Sequence, residues 1–233
     1  MNGMITNQSA YIDLHVHSSF SDGCLSPLEL VERAQVQGLS AIAIADHDSV
    51  AGVFPGIAAG EERGIEVVPA IELSVRFKAY KDVHLLGYGL DCGDSGLLER
   101  LNQLRERREG RSRDILAAVN ERLASEGREG IGFEEVSMHA RETIGRPHIA
   151  RAMIGRGYVG SVEDAFRRYL VPCNVPKLYW PMDDAIATIR RLGGVAVLAH
   201  PTSICTLSPE LRSIITELAE LGLDGVEVYN NMA

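Results

Sequence analysis

Short apolar runs alternate with segments of helical spacing through the first part of the chain. Residues 11–15, 41–45, 65–75 and 83–90 are rich in Ile, Val, Leu and Ala and read as four strands. Between the first two, residues 27–37 read as a helix. Ser26 supplies the N-cap, Pro27 the first helical position and Gly38 the stop. Residues 50–63 also have helical spacing, with Pro55 and Gly56 expected to interrupt it. This β-α-β-α-β order predicts an α/β protein with a mainly parallel sheet.

The pattern changes in the middle of the chain. Residues 97–123 space Leu97, Leu101, Leu104, Ile115, Val119 and Leu123 at helical intervals among many Arg and Glu. Shorter helices are expected at 133–141, 147–155 and 162–170, followed by a proline-bearing extended stretch over 171–181. The strand–helix rhythm then returns, with helices at 183–192 and 209–221 and strands at 195–199 and 225–229. The division so predicted is a first barrel part over 11–91, a helical insertion over 92–179 and a second barrel part over 180–233.

Composition narrows the class. The 233 residues are 45% hydrophobic and 24% charged, as expected of a globular chain. The net charge of −9 argues against a large nucleic-acid-binding surface. It leaves room for a phosphate substrate, because bound cations can invert the local field. No apolar run is long enough for a membrane span, and the polar leader MNGMITNQSA lacks the features of a signal peptide. Cys24, Cys92, Cys173 and Cys205 are widely spaced and form no C-x-x-C pair, which suits reduced thiols in a cytoplasmic protein.

The candidate chemistry lies at the edges of the strands. Five of the seven histidines (His15, His17, His47, His84 and His200) border apolar runs, and Asp22 and Glu72 share that context. His15 and His17 alternate along a strand and so project to one side. A carboxylate such as Glu72, ending the run VVPAI, is costly to bury unless a partner or a cation compensates it. Asp46 and Asp48 flank His47 and could orient imidazoles or cap the next helix. Mixed His and carboxylate ligands in this number exceed what one tetrahedral Zn uses, which points to two or three metal ions. Such donors suit Mn, Fe and Zn alike, and Mg is admitted as well. Arg146 and His148 flank Pro147 at a helix start, a natural phosphate site, and Lys177 is a further phosphate candidate. Tyr179 and Trp180 either stack on a base or pack beside proline, and His139 reads as solvated.

In order and spacing, H-V-H-S-S-F-S-D-G, A-D-H-D, A-I-E-L-S, V-H-L-L-G-Y and L-A-H-P resemble the motifs of the PHP (polymerase and histidinol phosphatase) family. The stretch G-R-P-H-I-A-R-A resembles the branch that acts on nucleoside 3',5'-bisphosphates and short RNA. The resemblance implies a distorted TIM-like (β/α)7 barrel with a helical insertion, in a metal-dependent phosphoesterase with a nucleotide or short oligonucleotide as substrate. It implies one metal on His15, His17 and Glu72, a second on Asp22 and His47, and a third on Glu72, His84 and His200. The implied nucleophile is a metal-bound hydroxide, with His148 as a further catalytic candidate. The family also closes its site with an Asp-x-His pair on a last strand. These 233 residues carry no such pair after residue 229, so the final strand is expected to be missing. A histidinol-phosphate-type phosphatase and a catalytically incomplete metal-binding module remain as alternative readings.

Overall fold

The structure is a computed structural model that describes residues 11–138 and 144–229. The polypeptide divides into two compact units, one built from residues up to Asp94 together with those from Trp180 onward, the other from Ser95–Tyr179.

The first unit is built on a sheet. Strand β1 (Tyr11–Val16) is followed by helix α1 (Pro27–Val36), strand β2 (Leu39–Ile44), helix α2 (Val53–Arg63), strand β3 (Glu66–Phe77) and strand β4 (Tyr80–Tyr88). After the insertion come β5 (Trp180–Pro181), α7 (Met182–Arg191), β6 (Val195–Leu198), α8 (Ser208–Glu220) and β7 (Gly225–Val226). The strand order is β1-β2-β3-β4-β6-β7, with β5 paired to β3.

Local chemistry explains these elements. Ser26 accepts from the Glu29 backbone N–H while the Glu29 carboxylate reaches back to Ser26, so α1 starts on a capping box. Pro55 falls in the first turn of α2, where its missing N–H breaks no helical bond. Gly56 does not interrupt that helix either. It lets α2 approach the sheet, since a Cβ there would lie 2.6 Å from Ile44 Cδ1. Along β2 the period is two. Ile42 and Ile44 pack outward with Val31, Ala34 and Ala59 beneath the helices, whereas Ala43 and Ala45 join Ala70, Leu86 and Ala199 on the inner side.

The sheet is mixed, which departs from the mainly parallel arrangement expected. β1, β2 and β3 are parallel, but β4 runs antiparallel to both β3 and β6. The cause is local: β3 extends to Phe77, and Lys78, with φ +54°, turns the chain straight back so that Phe77 pairs with Tyr80. The sheet also curls. β1 and β7 stand at opposite ends of the strand order, about 24 Å apart if the sheet were flat. Yet the His15 ring Nδ1 lies 2.9 Å from Glu227 Oε1, and the Tyr88 hydroxyl donates to the Leu14 carbonyl at 2.9 Å. The fold is therefore a mixed α/β half-barrel with a small-residue interior.

The insertion is helical: α3 (Ser95–Ser125), α4 (Phe133–Ser137), α5 (Arg146–Gly155) and α6 (Val162–Ala165), the last running into a π-helical turn over Phe166–Leu170. α3, at 31 residues, is about 46 Å long. Its Ile115, Val119 and Leu123 are fully buried against Ile149, Met153, Tyr169 and Leu170. This is a separate core, so the insertion has an apolar interior of its own. Among the described residues no helix is long and apolar enough to cross a membrane. The four cysteines are free thiols.

Candidate metal centre

β1, β2, β3, β4 and β6 each deliver a histidine or carboxylate to one place. His15 lies within β1 and His17 follows its end. His47 follows β2 and continues the β2–β3 register as an isolated bridge to Glu72. Glu72 lies in the middle of β3 rather than at its end, because an unbroken buried run from Ala70 to Val75 carries that strand on towards Phe77. His84 stands opposite Ser74 in β4, one diagonal step from Glu72 on the same face. His200 follows β6 with φ +26°, in a region that L-residues rarely adopt.

Glu72 is the hub, with a side chain only 1% exposed. Its Oε2 is 3.3 Å from His15 Nε2, 3.3 Å from His17 Nε2 and 3.1 Å from His47 Nδ1. Its Oε1 is 3.2 Å from His84 Nδ1 and 3.0 Å from His200 Nε2. Asp22, more exposed, lies 3.5 Å from His17 Nδ1 and 3.8 Å from His47 Nε2. The donor atoms form three overlapping groups, each within a 4.8 Å span: His15, His17 and Glu72; His17, Asp22 and His47; His47, Glu72 and His84. The first coincides with the set implied for one metal. The second adds His17, and the third has His47 in place of His200, which nevertheless touches both Glu72 and His84.

Electrostatics follow from this packing. Burial raises the cost of ionising Glu72, but the facing imidazoles of His15, His200 and His84 and the charge of His47 outweigh it, and its pKa falls far below the usual carboxylate range. Burial opposes the charged form of His15, yet Glu72 and Glu227 prevail and raise its pKa to about 9. Burial, reinforced by His84 and His17, lowers the pKa of His47 to about 4 against the pull of Glu72.

The residues fit divalent cations. Among the described residues, the buried side-chain nitrogens and oxygens that lack a hydrogen-bond partner are His15 Nε2, His17 Nδ1, His47 Nδ1 and Glu72 Oε2, all in this cluster. Buried polar atoms without partners are rare because each forfeits its solvation. Nitrogen and oxygen ligand atoms crowded together without hydrogen-bond partners are what a cation compensates.

The flanking carboxylates brace the loops. The buried carboxylate of Asp46 accepts from the Ser18 backbone N–H (2.7 Å), the Ser18 hydroxyl (2.6 Å) and the Ser21 hydroxyl (2.7 Å), which ties down the turn that carries Asp22. Asp48 accepts from the Ser74 backbone N–H at 2.7 Å. Gly23 is part of the same device, since a Cβ there would lie 2.1 Å from the His17 carbonyl oxygen. Gly23→Ala is therefore expected to displace the turn and cut metal affinity by about 10–100-fold, like loss of a ligand's support. Titration of the variant with Zn²⁺ against a chelating dye checks this, and unchanged affinity would refute it.

In the insertion, His148 Nδ1 accepts from the Gly145 backbone N–H at 3.0 Å, which leaves the proton on Nε2. Arg146 stacks over the Phe166 ring at 5.2 Å and reaches Asn174 Oδ1 at 3.3 Å. Arg111 also reaches Asn174 Oδ1, at 2.8 Å. Lys177 lies over the Tyr179 ring at 4.9 Å, and Trp180 donates to Asp184 at 2.9 Å. His139 lies outside the described residues.

Glu227 was not singled out from the sequence. One carboxylate oxygen meets His15 Nδ1 at 2.9 Å and the other accepts from the His200 backbone N–H at 2.7 Å. Its signal was present in G-V-E-V-Y, an acid embedded in an apolar run as in A-I-E-L-S.

A model of the PHP domain matches residues 13–139. A 5'-3' exoribonuclease of Haemophilus influenzae is 34% identical over 222 residues, 93% of this chain and 78% of that protein. A 3',5'-nucleoside bisphosphate phosphatase of Chromobacterium violaceum is 33% identical over 224 residues, covering 94% and 76%. The solved structure of a candidate metal-dependent phosphoesterase from Bifidobacterium adolescentis superposes with a TM-score of 0.78 at 30% identity, covering 95% of this chain and 78% of that one. Fold, donor cluster and relatives together define a hydrolase class, the metal-dependent phosphoesterases. The chain belongs to the PHP family.

Proposed function

We propose that the chain hydrolyses phosphoesters of nucleotides, with nucleoside 3',5'-bisphosphates or the ends of short RNA as substrates. The observation that carries this reading is the cluster of five imidazoles and two carboxylates with its orphaned buried donors. His15, His17, Asp22, His47, Glu72, His84 and His200 would hold two or three ions of Mn, Fe or Zn, with Glu72 bridging. Cations of this kind neutralise phosphoryl charge and make water nucleophilic near neutral pH. Glu72 holds the negative charge that gathers them. The Arg146 guanidinium is suited to a phosphate oxygen pair, and the His148 Nε2–H is a donor for the same anion. Lys177 adds a further cation. The insertion has more Arg and Lys than Asp and Glu although the whole chain is acidic, which supports an anionic substrate. The barrel is taken as a distorted (β/α)7 type, in two sequence parts around the insertion, and the free thiols support a reducing, cytoplasmic setting.

Hydrolysis of adenosine 3',5'-bisphosphate, a short 5'-phosphorylated RNA and histidinol phosphate, each with Mn²⁺ and with excess chelator, tests this. Phosphate release from the first two that stops on chelation is expected. Preference for histidinol phosphate, or turnover indifferent to chelator, would overturn it.

A further inference from the structure

Glu227 lies just past β7, with a side chain 11% exposed. Its own backbone N–H donates to the Leu198 carbonyl at 2.9 Å, so the residue is tied to the end of β6. From there its two oxygens reach two different donors: His15 Nδ1 at 2.9 Å and the His200 backbone N–H at 2.7 Å. His15 turns its other nitrogen, Nε2, towards Glu72 Oε2, and that nitrogen has no hydrogen-bond partner. His200 has φ +26° and ψ 62°, a strained backbone that persists only where its surroundings hold it.

We propose that Glu227 is the positioning residue of the metal centre. It keeps the His15 proton on Nδ1 so that Nε2 presents its lone pair to the metal, and it pins the turn that carries His200. This rests on the metal-centre reading above. A carboxylate suits both tasks because it only accepts, and two donors face it. The His200 N–H can do nothing but donate, whereas a neutral imidazole can exchange donor for acceptor by changing tautomer.

That asymmetry gives a signature. In Glu227→Gln the amide oxygen takes the His200 N–H and the amide NH₂ faces His15 Nδ1. Nδ1 must then accept, and the proton moves to Nε2, where the metal has to bind. Glu227→Ala removes both acceptors but imposes no tautomer. Zn²⁺ affinity, measured by competition with a chelating dye on the full chain, is therefore expected to fall about 10–100-fold in Glu227→Gln and less in Glu227→Ala. A purely structural role predicts the reverse order, since Gln keeps the shape that Ala loses. Nitrogen-detected spectra of the zinc-loaded wild type are expected to show His15 protonated on Nδ1 and zinc on Nε2. Wild-type affinity in Glu227→Gln, a larger loss in Glu227→Ala, or zinc on His15 Nδ1 would overturn the positioning role alone. A wild-type chain that takes up no zinc would overturn the metal-centre reading as well.

Discussion

Glu72→Gln is expected to abolish hydrolysis and empty the metal centre. Glu72 meets five imidazoles, three through one oxygen and two through the other, so among the described residues no other side chain touches as much of the site. Glutamine keeps the shape but removes the negative charge and points an NH₂ at nitrogens whose lone pairs the metal needs. The loss in metal affinity should exceed the ~10–100-fold that follows when a partner one step removed from the metal is deleted. Elemental analysis of the purified variant alongside phosphate release checks this. Near-wild-type metal content and turnover would show that Glu72 does not bridge.

The second large effect concerns stability. Metals that bind the folded chain and not the unfolded one stabilise it by mass action, about 2.7 kcal/mol when free metal is 100-fold above its Kd. For a chain of this size each kcal/mol moves Tm by about 2–4 °C, so Mn²⁺ or Zn²⁺ should raise Tm by about 5–11 °C. Relief of the unpartnered donors at His15, His17, His47 and Glu72 is the physical source. Thermal melts with metal, with chelator and with metal restored measure it. Identical melts at metal concentrations that saturate the dye assay would contradict it.

Much of this site is legible in the sequence. Imidazoles that follow alanine- and isoleucine-rich runs, as at His47 and His200, mark strand ends whose side chains share an exit. The period of two placed His15 and His17 on one side. Curling of the sheet followed from the barrel reading, but nothing local in 11–16 announces that His15 will meet Glu227. Glu227 was overlooked for that reason: its importance comes from a closure between residues 212 apart. The antiparallel return of β4 depends on Lys78 adopting positive φ, which its residue type does not advertise. The brace of Asp46 on Ser18 and Ser21 escaped notice because an acid beside a histidine suggests a partner for that ring, whereas here its bonds go to hydroxyls and an amide.

The 212-residue separation between His15 and Glu227 also has a temporal side. A ribosome adding about 5–20 residues per second leaves roughly 10–40 s between the emergence of the first histidine pair and that of the acid that orients it. At the start of that interval the H-V-H segment offers its two imidazoles without the later donors Glu72, His84 and His200. Any ion captured that early would meet only part of the donor set, and exchange after closure would decide which one is retained.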